Sequence, residues 1–309
     1  MAQLDYLVTG ATGQLGRAVV ALAKQRAASV LGFSGKDLPL DSRARIQQVL
    51  LEHRPKNVIH CAAVTNVDGC EGDPLLAYRV NGLGTAWLAE AAAAIAGKLV
   101  YVSTDFVFDG TKQGVPYEVD ARVSPLSVYG ASKRLGEEAV LSYDRAKNYV
   151  VRTSWVFGPG GKNFPRAIID RARSGQPLKV VTDQIGRPCM TFDLAEALLD
   201  LCELAPSPGI YHAANEGQCS WHQFAVDVLR LAGLSNISVG TQLAVELKRA
   251  AARPAWSVLD TARLTAARGK PLPHYVDAIQ RYLQLESQIT KDPAAAIAAA
   301  GLRGKEYRS

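Results

Sequence analysis

Short apolar runs alternate with longer amphipathic stretches through the first half of the chain. Leu4 to Thr9 is an apolar run ending at a glycine, and Leu15 to Arg26 has helical composition. Val30 to Phe33 is a second short strand, followed by a helix over Arg43 to His53 that Pro55 stops. Asn57 to Cys61 reads as a third strand and Lys98 to Ser103 as a fourth. Between them Asp73-Pro74 supplies an N-cap acid and a proline at the first helical position, so a helix is expected from there through the Ala-rich stretch to about Ala96. A helix over Ser127 to Leu141 and a strand over Tyr149 to Arg152 continue the series. The strands are apolar throughout rather than alternating, as strands buried on both faces are. Strand and helix in regular alternation predict an α/β fold, a doubly wound parallel sheet.

The rhythm changes after about Trp155. Gly158-Pro159-Gly160-Gly161 is a loop, and helices over Asn163 to Arg173, Phe192 to Leu204 and Trp221 to Leu231 mix with brief strands and proline-rich loops. The expectation is a first domain over 1–155, with later segments crossing back into it, and a smaller interleaved substrate domain over 156–286. The segment 287–309 is a tail of alanines and charges with no function assigned.

The glycine pattern gives the first chemistry. Gly10-Ala11-Thr12-Gly13-Gln14-Leu15-Gly16 places three glycines every third residue between the first strand and the first helix. Glycine permits the sharp turn and close backbone approach to a pyrophosphate, and the helix presents the positive end of its dipole. At this junction of an alternating chain the loop points to a dinucleotide and makes the sheet Rossmann-type. NAD-binding chains place an acid at the end of the second strand. Here that strand runs into Ser34-Gly35-Lys36, with no acid before Asp37. Ser34 and Lys36 therefore suit the 2′-phosphate of NADPH, with NADH as the alternative, although Lys36 also reads as a plain surface lysine.

Tyr129 and Lys133 stand four apart at a helix start, on one helical face. Reducing a carbonyl takes a hydride to carbon and a proton to oxygen. A phenol can give that proton, and a neighbouring ammonium is expected to lower its pKa. Lys133 can also hold a cofactor ribose. Thr104 follows the fourth strand, where ligands of open parallel sheets gather, and can orient the carbonyl. Thr104, Tyr129 and Lys133 are the expected catalytic trio.

Net charge and the remaining residue types mainly exclude. A formal charge of +6 suits a phosphate-bearing small molecule, but the cations are dispersed, so neither nucleic acid nor a membrane surface is an expected partner. Cys61, Cys70, Cys189, Cys202 and Cys219 form no Cys-x-x-Cys, and His53, His60, His212, His222 and His274 lack the spacing of a zinc protease, so no metal is expected. No apolar run reaches the roughly 20 residues of a membrane helix, and the start does not read as a signal peptide, so a cytoplasmic location is expected.

These motifs together resemble the dTDP-4-dehydrorhamnose reductase family, in the extended short-chain dehydrogenase/reductase superfamily. The resemblance covers about residues 4–285. It is carried by Thr9 to Gly16, Cys61 to Thr65, Val80-Asn81, Ser103 to Gly110, Pro125 to Gly130, Arg152 to Trp155, Gly161 to Phe164, Asp183 to Gly186 and Arg253-Pro254. It implies reduction of a 4-keto sugar nucleotide. Gly10, Thr12, Gly13, Gln14 and Leu15 would line the cofactor phosphates, Asp41 would sit by the adenine, and Ala62, Ala63 and Thr65 along the cofactor. Thr104, Asp105, Trp155 and Asn163 would face the sugar nucleotide, and Tyr129 would be the proton donor. Arg17 stands where members with a metal-bridged dimer carry glutamate, which leaves a homodimer without that bridge. Pro188-Cys189-Met190 replaces the usual Pro-Thr, and Phe106 a common tyrosine.

Two rivals resemble the chain as well. Sugar 4,6-dehydratases on this fold carry Thr-Asp-Glu, against Thr104-Asp105-Phe106 here, and a phenylalanine ring moves no protons. The regulatory β subunit of methionine adenosyltransferase keeps the glycine loop and the Tyr/Lys pair, and would have a larger synthetase as partner. Trp155 and Gly161-Lys162-Asn163-Phe164 favour the reductase.

Overall fold

The computed structural model describes residues 3–289, so most of the segment 287–309 lies outside the described residues. Strands β1 (Tyr6–Thr9), β2 (Val30–Phe33), β3 (Asn57–His60), β4 (Lys98–Thr104), β5 (Tyr149–Thr153) and β6 (Gly209–His212) form one parallel sheet. Their order is β6-β5-β4-β3-β1-β2. The order reverses at β1, which has β2 on one side and β3 on the other, and opens a crevice beyond the carboxyl ends of β1 and β3.

Period-two alternation sends the strands' side chains into two cores. Tyr6, Val8, Ile59, Val100 and Val151 pack against helices α1 (Gln14–Gln25), α6 (Thr191–Leu204) and α8 (Ala262–Arg268). Leu7, Val58, Leu99 and Val150 face the other way, against α2 (Arg43–His53), α3 (Thr85–Ala94) and α4 (Val128–Tyr143). This double covering is why the central strands carry no polar face. Beyond the sheet, α5 (Phe164–Arg173), α7 (Trp221–Leu231) and α9 (Tyr275–Ile289) enclose a separate core built on Phe157, Ile168, Met190, Phe224, Ile279 and Tyr282. Both β6 and α6 come from chain beyond residue 155 and complete the first layer system.

The helix expected from Pro74 to Ala96 is not uniform. Asp73 caps it through the Leu76 N–H at 3.0 Å. The α-turn Pro74–Ala77 then gives way to a π-helical stretch over Tyr78–Gly84 before α3 begins. That stretch carries Asn81, whose amide accepts from the Val64 N–H at 2.8 Å and donates to the Val64 carbonyl at 3.1 Å, fixing the loop after β3. Among the described residues no helix is long and apolar enough to cross a membrane.

Candidate active site

The loop after β1 is shaped by how close two backbones come. Gly10 has φ +67°, and a Cβ there would lie 2.8 Å from the backbone of Ala62. No larger residue fits between the chain segments leaving β1 and β3. The Gly13 N–H donates to the Gly10 carbonyl at 2.9 Å, and α1 starts at once with no side-chain cap. The first-turn N–H groups beside Thr12, Gln14 and Leu15 are thereby left for an anion. Thr9 joins the two strand ends, hydrogen-bonded to His60 Nδ1 at 2.6 Å and accepting from the Ala62 N–H at 3.3 Å. Ala62, Ala63 and Thr65 therefore run along the crevice past the glycine loop, held by the Asn81 clamp on Val64.

At the β2 end a tight turn follows the strand. Asp37 folds back so that its carboxylate accepts from the Ser34 hydroxyl at 2.6 Å and the Ser34 N–H at 3.3 Å. The first acid after the strand thus folds back through a tight turn onto Ser34. These bonds hold the Asp37 carboxyl below its ordinary pKa. Lys36 and Asp41 are exposed nearby.

The candidate catalytic groups come from three elements. β4 ends at Thr104, whose hydroxyl donates to Asp105 Oδ1 at 3.1 Å and accepts from the Phe106 N–H at 3.2 Å. Ser127 caps α4 through the Gly130 N–H at 3.2 Å, which sets Tyr129 in the first turn and Lys133 one turn on. The Tyr129 ring meets Phe106 edge-on at 5.6 Å between centroids. Burial pushes the Tyr129 phenol well above its ordinary value, the Thr104 hydroxyl opposes this, and the Asp105 charge adds to it. The expectation that Lys133 lowers the phenol's pKa is not met, since the ammonium is engaged elsewhere. Lys133 Nζ donates to the Val102 carbonyl at 2.7 Å and lies 4.1 Å from the Tyr101 ring centroid. Burial pulls Lys133 down to about 7, against the charge of Glu137. A neutral phenol is the form that carries a proton to give.

Asp105 is almost fully buried, and its Oδ2 has no hydrogen-bond partner. Burial pushes the carboxyl up to about 6, eased by the Ser257 and Thr104 hydroxyls. Ser257 belongs to a return segment paired to Ile185 and Tyr117. Nothing in its local sequence singles it out.

Trp155 follows β5 with φ +45°, a conformation a bulky side chain rarely adopts. Its indole stacks on Trp221 with centroids 3.7 Å apart and rings 11° from parallel, and Gly186 lies against it. It is half-buried at the edge of the outer core, packed between Trp221 and Gly186. Asn163 sits differently from the sequence expectation. Its Oδ1 caps α5 through the Arg166 N–H at 3.0 Å, and its Nδ2 donates to the Gly158 carbonyl at 2.7 Å, to that of Gly161 and to Gln14 Oε1. With that amide spent, Asn163 shapes the loop over 158–163 rather than offering a free group to a ligand. Gln14 Nε2 donates to the Lys162 carbonyl at 2.8 Å, and Arg17 donates to the carbonyls of Thr12 and Gly160. The loop is thus stitched to the start of α1. Arg17, Trp221 and Ser257 were missed as contributors, and only Arg17, by its place after the glycine loop, gave a local sign. Among the described residues no three His, Cys, Asp or Glu side chains are grouped to hold a metal.

An open parallel sheet with a glycine loop at its switch point, and a tyrosine–lysine helix facing it, defines a dinucleotide-binding α/β protein of the short-chain dehydrogenase/reductase class. Residues 4–287 match the family described as RmlD substrate binding domain, and the chain belongs to that family. It is 41% identical over 279 residues to a dTDP-4-dehydrorhamnose reductase of Streptomyces griseus, covering 89% of this chain and 91% of the relative. A dTDP-4-dehydrorhamnose reductase of Clostridium acetobutylicum superposes with a TM-score of 0.87 at 35% identity, over 91% of this chain and 99% of that one. A Bacillus anthracis structure of the same description, in complex with NADP, gives 0.86 at 34% identity over the same shares.

Proposed function

We propose that the chain reduces the 4-keto group of dTDP-4-dehydro-L-rhamnose to give dTDP-L-rhamnose, using NADPH or NADH. The observation that carries this is the pairing of Thr104 at the end of β4 with Tyr129 in the first turn of α4, on a sheet whose β1 ends in a glycine loop pressed against Ala62. When bound, the nicotinamide supplies the hydride. Gly10, Gly13, Gln14 and Leu15 would receive its phosphates, Ala62, Ala63 and Thr65 its length, and Lys133 a ribose. Thr104 orients the carbonyl by a hydrogen bond, and the neutral Tyr129 phenol gives the proton to its oxygen. Asp105, whose Oδ1 holds the Thr104 hydroxyl, would lie at the sugar end of the site, and the Trp155 indole would pack on an apolar part of the substrate. We take the enzyme as cytoplasmic, without nucleic-acid or membrane partners, acting alone or as a homodimer with no metal bridge, because Arg17 is spent inside its own chain.

A panel of dTDP-, UDP- and GDP-linked 4-keto-6-deoxy sugars, assayed with NADPH and NADH, tests this. The dTDP sugar should be turned over fastest, and Tyr129→Phe should cut turnover about 10²-fold or more with cofactor affinity little changed. A protein that binds NADPH and reduces none of these sugars would overturn the reading.

A further inference from the structure

Glu137 lies one helical turn beyond Lys133 on α4 and is fully buried. A buried carboxylate is costly unless its lone pairs are used. Here all are: Oε1 accepts from Ser103 Oγ at 2.7 Å and Arg152 Nε at 2.8 Å, and Oε2 from Arg152 Nη2 at 2.8 Å and Arg134 Nη1 at 3.0 Å. Ser103 directly precedes Thr104 on β4. Arg152, itself fully buried, is on β5 just before the turn to Trp155, and also donates to the Val119 carbonyl at 3.1 Å. One carboxylate therefore ties the helix that carries Tyr129 and Lys133 to the two strand ends that carry Thr104 and Trp155.

We propose that Glu137 is a positioning residue for the reaction: it fixes α4 against the carboxyl ends of β4 and β5, and it sets a buried negative charge one helical turn from Lys133. This rests on the reading of Lys133 as the cation that holds the cofactor ribose. The other groups around Lys133 leave the charge to Glu137. From β3 and the residue after it come His60, held neutral with its pKa pulled down to about 3, and Cys61, whose thiol is pushed up to about 12. From β4 comes the Tyr101 ring, also raised by burial, and from α4 the neutral Tyr129. Behind Glu137 stand Arg152 and Arg134, whose guanidiniums share its carboxylate, and the neutral His212 of β6.

The test is the pH at which Lys133 loses its proton, read two ways: the alkaline limb of kcat/KM, and the weakening of NADPH binding with rising pH. Glu137→Gln should move both limbs about one pH unit or more toward acid. Arg134→Gln, at a half-exposed site, removes an opposing cation and should move them toward alkaline by a few tenths of a unit. Limbs that stay in place in both variants, or that move in the same direction, overturn the proposal, whatever happens to Tm. Should Glu137→Gln fail to fold, Arg134→Gln decides alone: an alkaline shift supports the proposal and no shift overturns it. The NADPH titration reads Lys133 even if the wild type reduced no keto sugar, so failure of the proposed function and failure of this inference are told apart.

Discussion

Asp105 stands where stability and chemistry ask for different things. Its carboxyl is raised from an ordinary 3.8 to about 6, and one oxygen is buried without a partner. A carboxyl raised in the folded state adds stability that is full below about pH 4 and is lost as pH rises through about 6. Above that pH the ionised group costs on the order of 3 kcal/mol relative to an unshifted one. Asp105→Asn should therefore raise Tm at pH 8 and have little effect near pH 4, while weakening substrate binding. Thermal melts of both proteins across that range check it, and a Tm lowered equally at both pH values would show that the carboxylate is not strained. The places of Thr104, Tyr129 and Lys133 were legible because local rules define them: Thr104 at a strand end, Tyr129 and Lys133 one helical turn apart behind a serine cap. What surrounds them was not. Ser257 reaches Asp105 from a distant segment, and whether Lys133 faces a phenol or a backbone carbonyl depends on packing that no spacing records.

At the level of elements, the strands and most helices followed from apolar runs bounded by caps and prolines. Trp221–Leu231 is a helix over the span its pattern marked, and Asp73-Pro74 starts one as expected. The π-helical stretch over Tyr78–Gly84 was not legible, because what it carries is tertiary: Asn81 bonds both backbone groups of Val64 in the loop after β3. The turn after β2 shows the same limit. Counting along the chain put Asp37 too far on to matter, whereas the turn brings its carboxylate back onto Ser34. Two charges of opposite sign thus stand at the end of β2. Asp37→Asn should raise the preference for NADPH over NADH several-fold, by removing repulsion of a 2′-phosphate, and Lys36→Glu should lower it. The ratio of kcat/KM for the two cofactors measures both. Equal ratios in wild type and variants would place the selecting group elsewhere.

Across the molecule, the two halves of the chain are not two separable bodies. α6 lies in the core that also holds α1, and Arg26, the C-cap of α1, pairs with Asp200 of α6 at 2.8 Å, which Arg268 of α8 also grips. The Gln14 and Arg17 bonds to the loop over 158–163 add a second seam beside the glycine loop. A fragment ending at residue 155 would expose the edge of β5 and the buried face of α1, including Val19 and Leu22. Such edges and faces promote association between chains. The fragment should be recovered aggregated or should bind a hydrophobic dye, while residues 1–289 should melt cooperatively, and a soluble, cooperatively melting fragment would contradict the reading. The late arrival of β6 also bears on how the protein is made. During synthesis at roughly 5–20 residues per second, β5 leaves the ribosome several seconds before the strand that shields it. Through that interval the nascent chain carries a ready template for strand pairing with a neighbouring chain on the same message. Slowing translation just after β5 should lower the soluble yield, and slowing it after β6 should not.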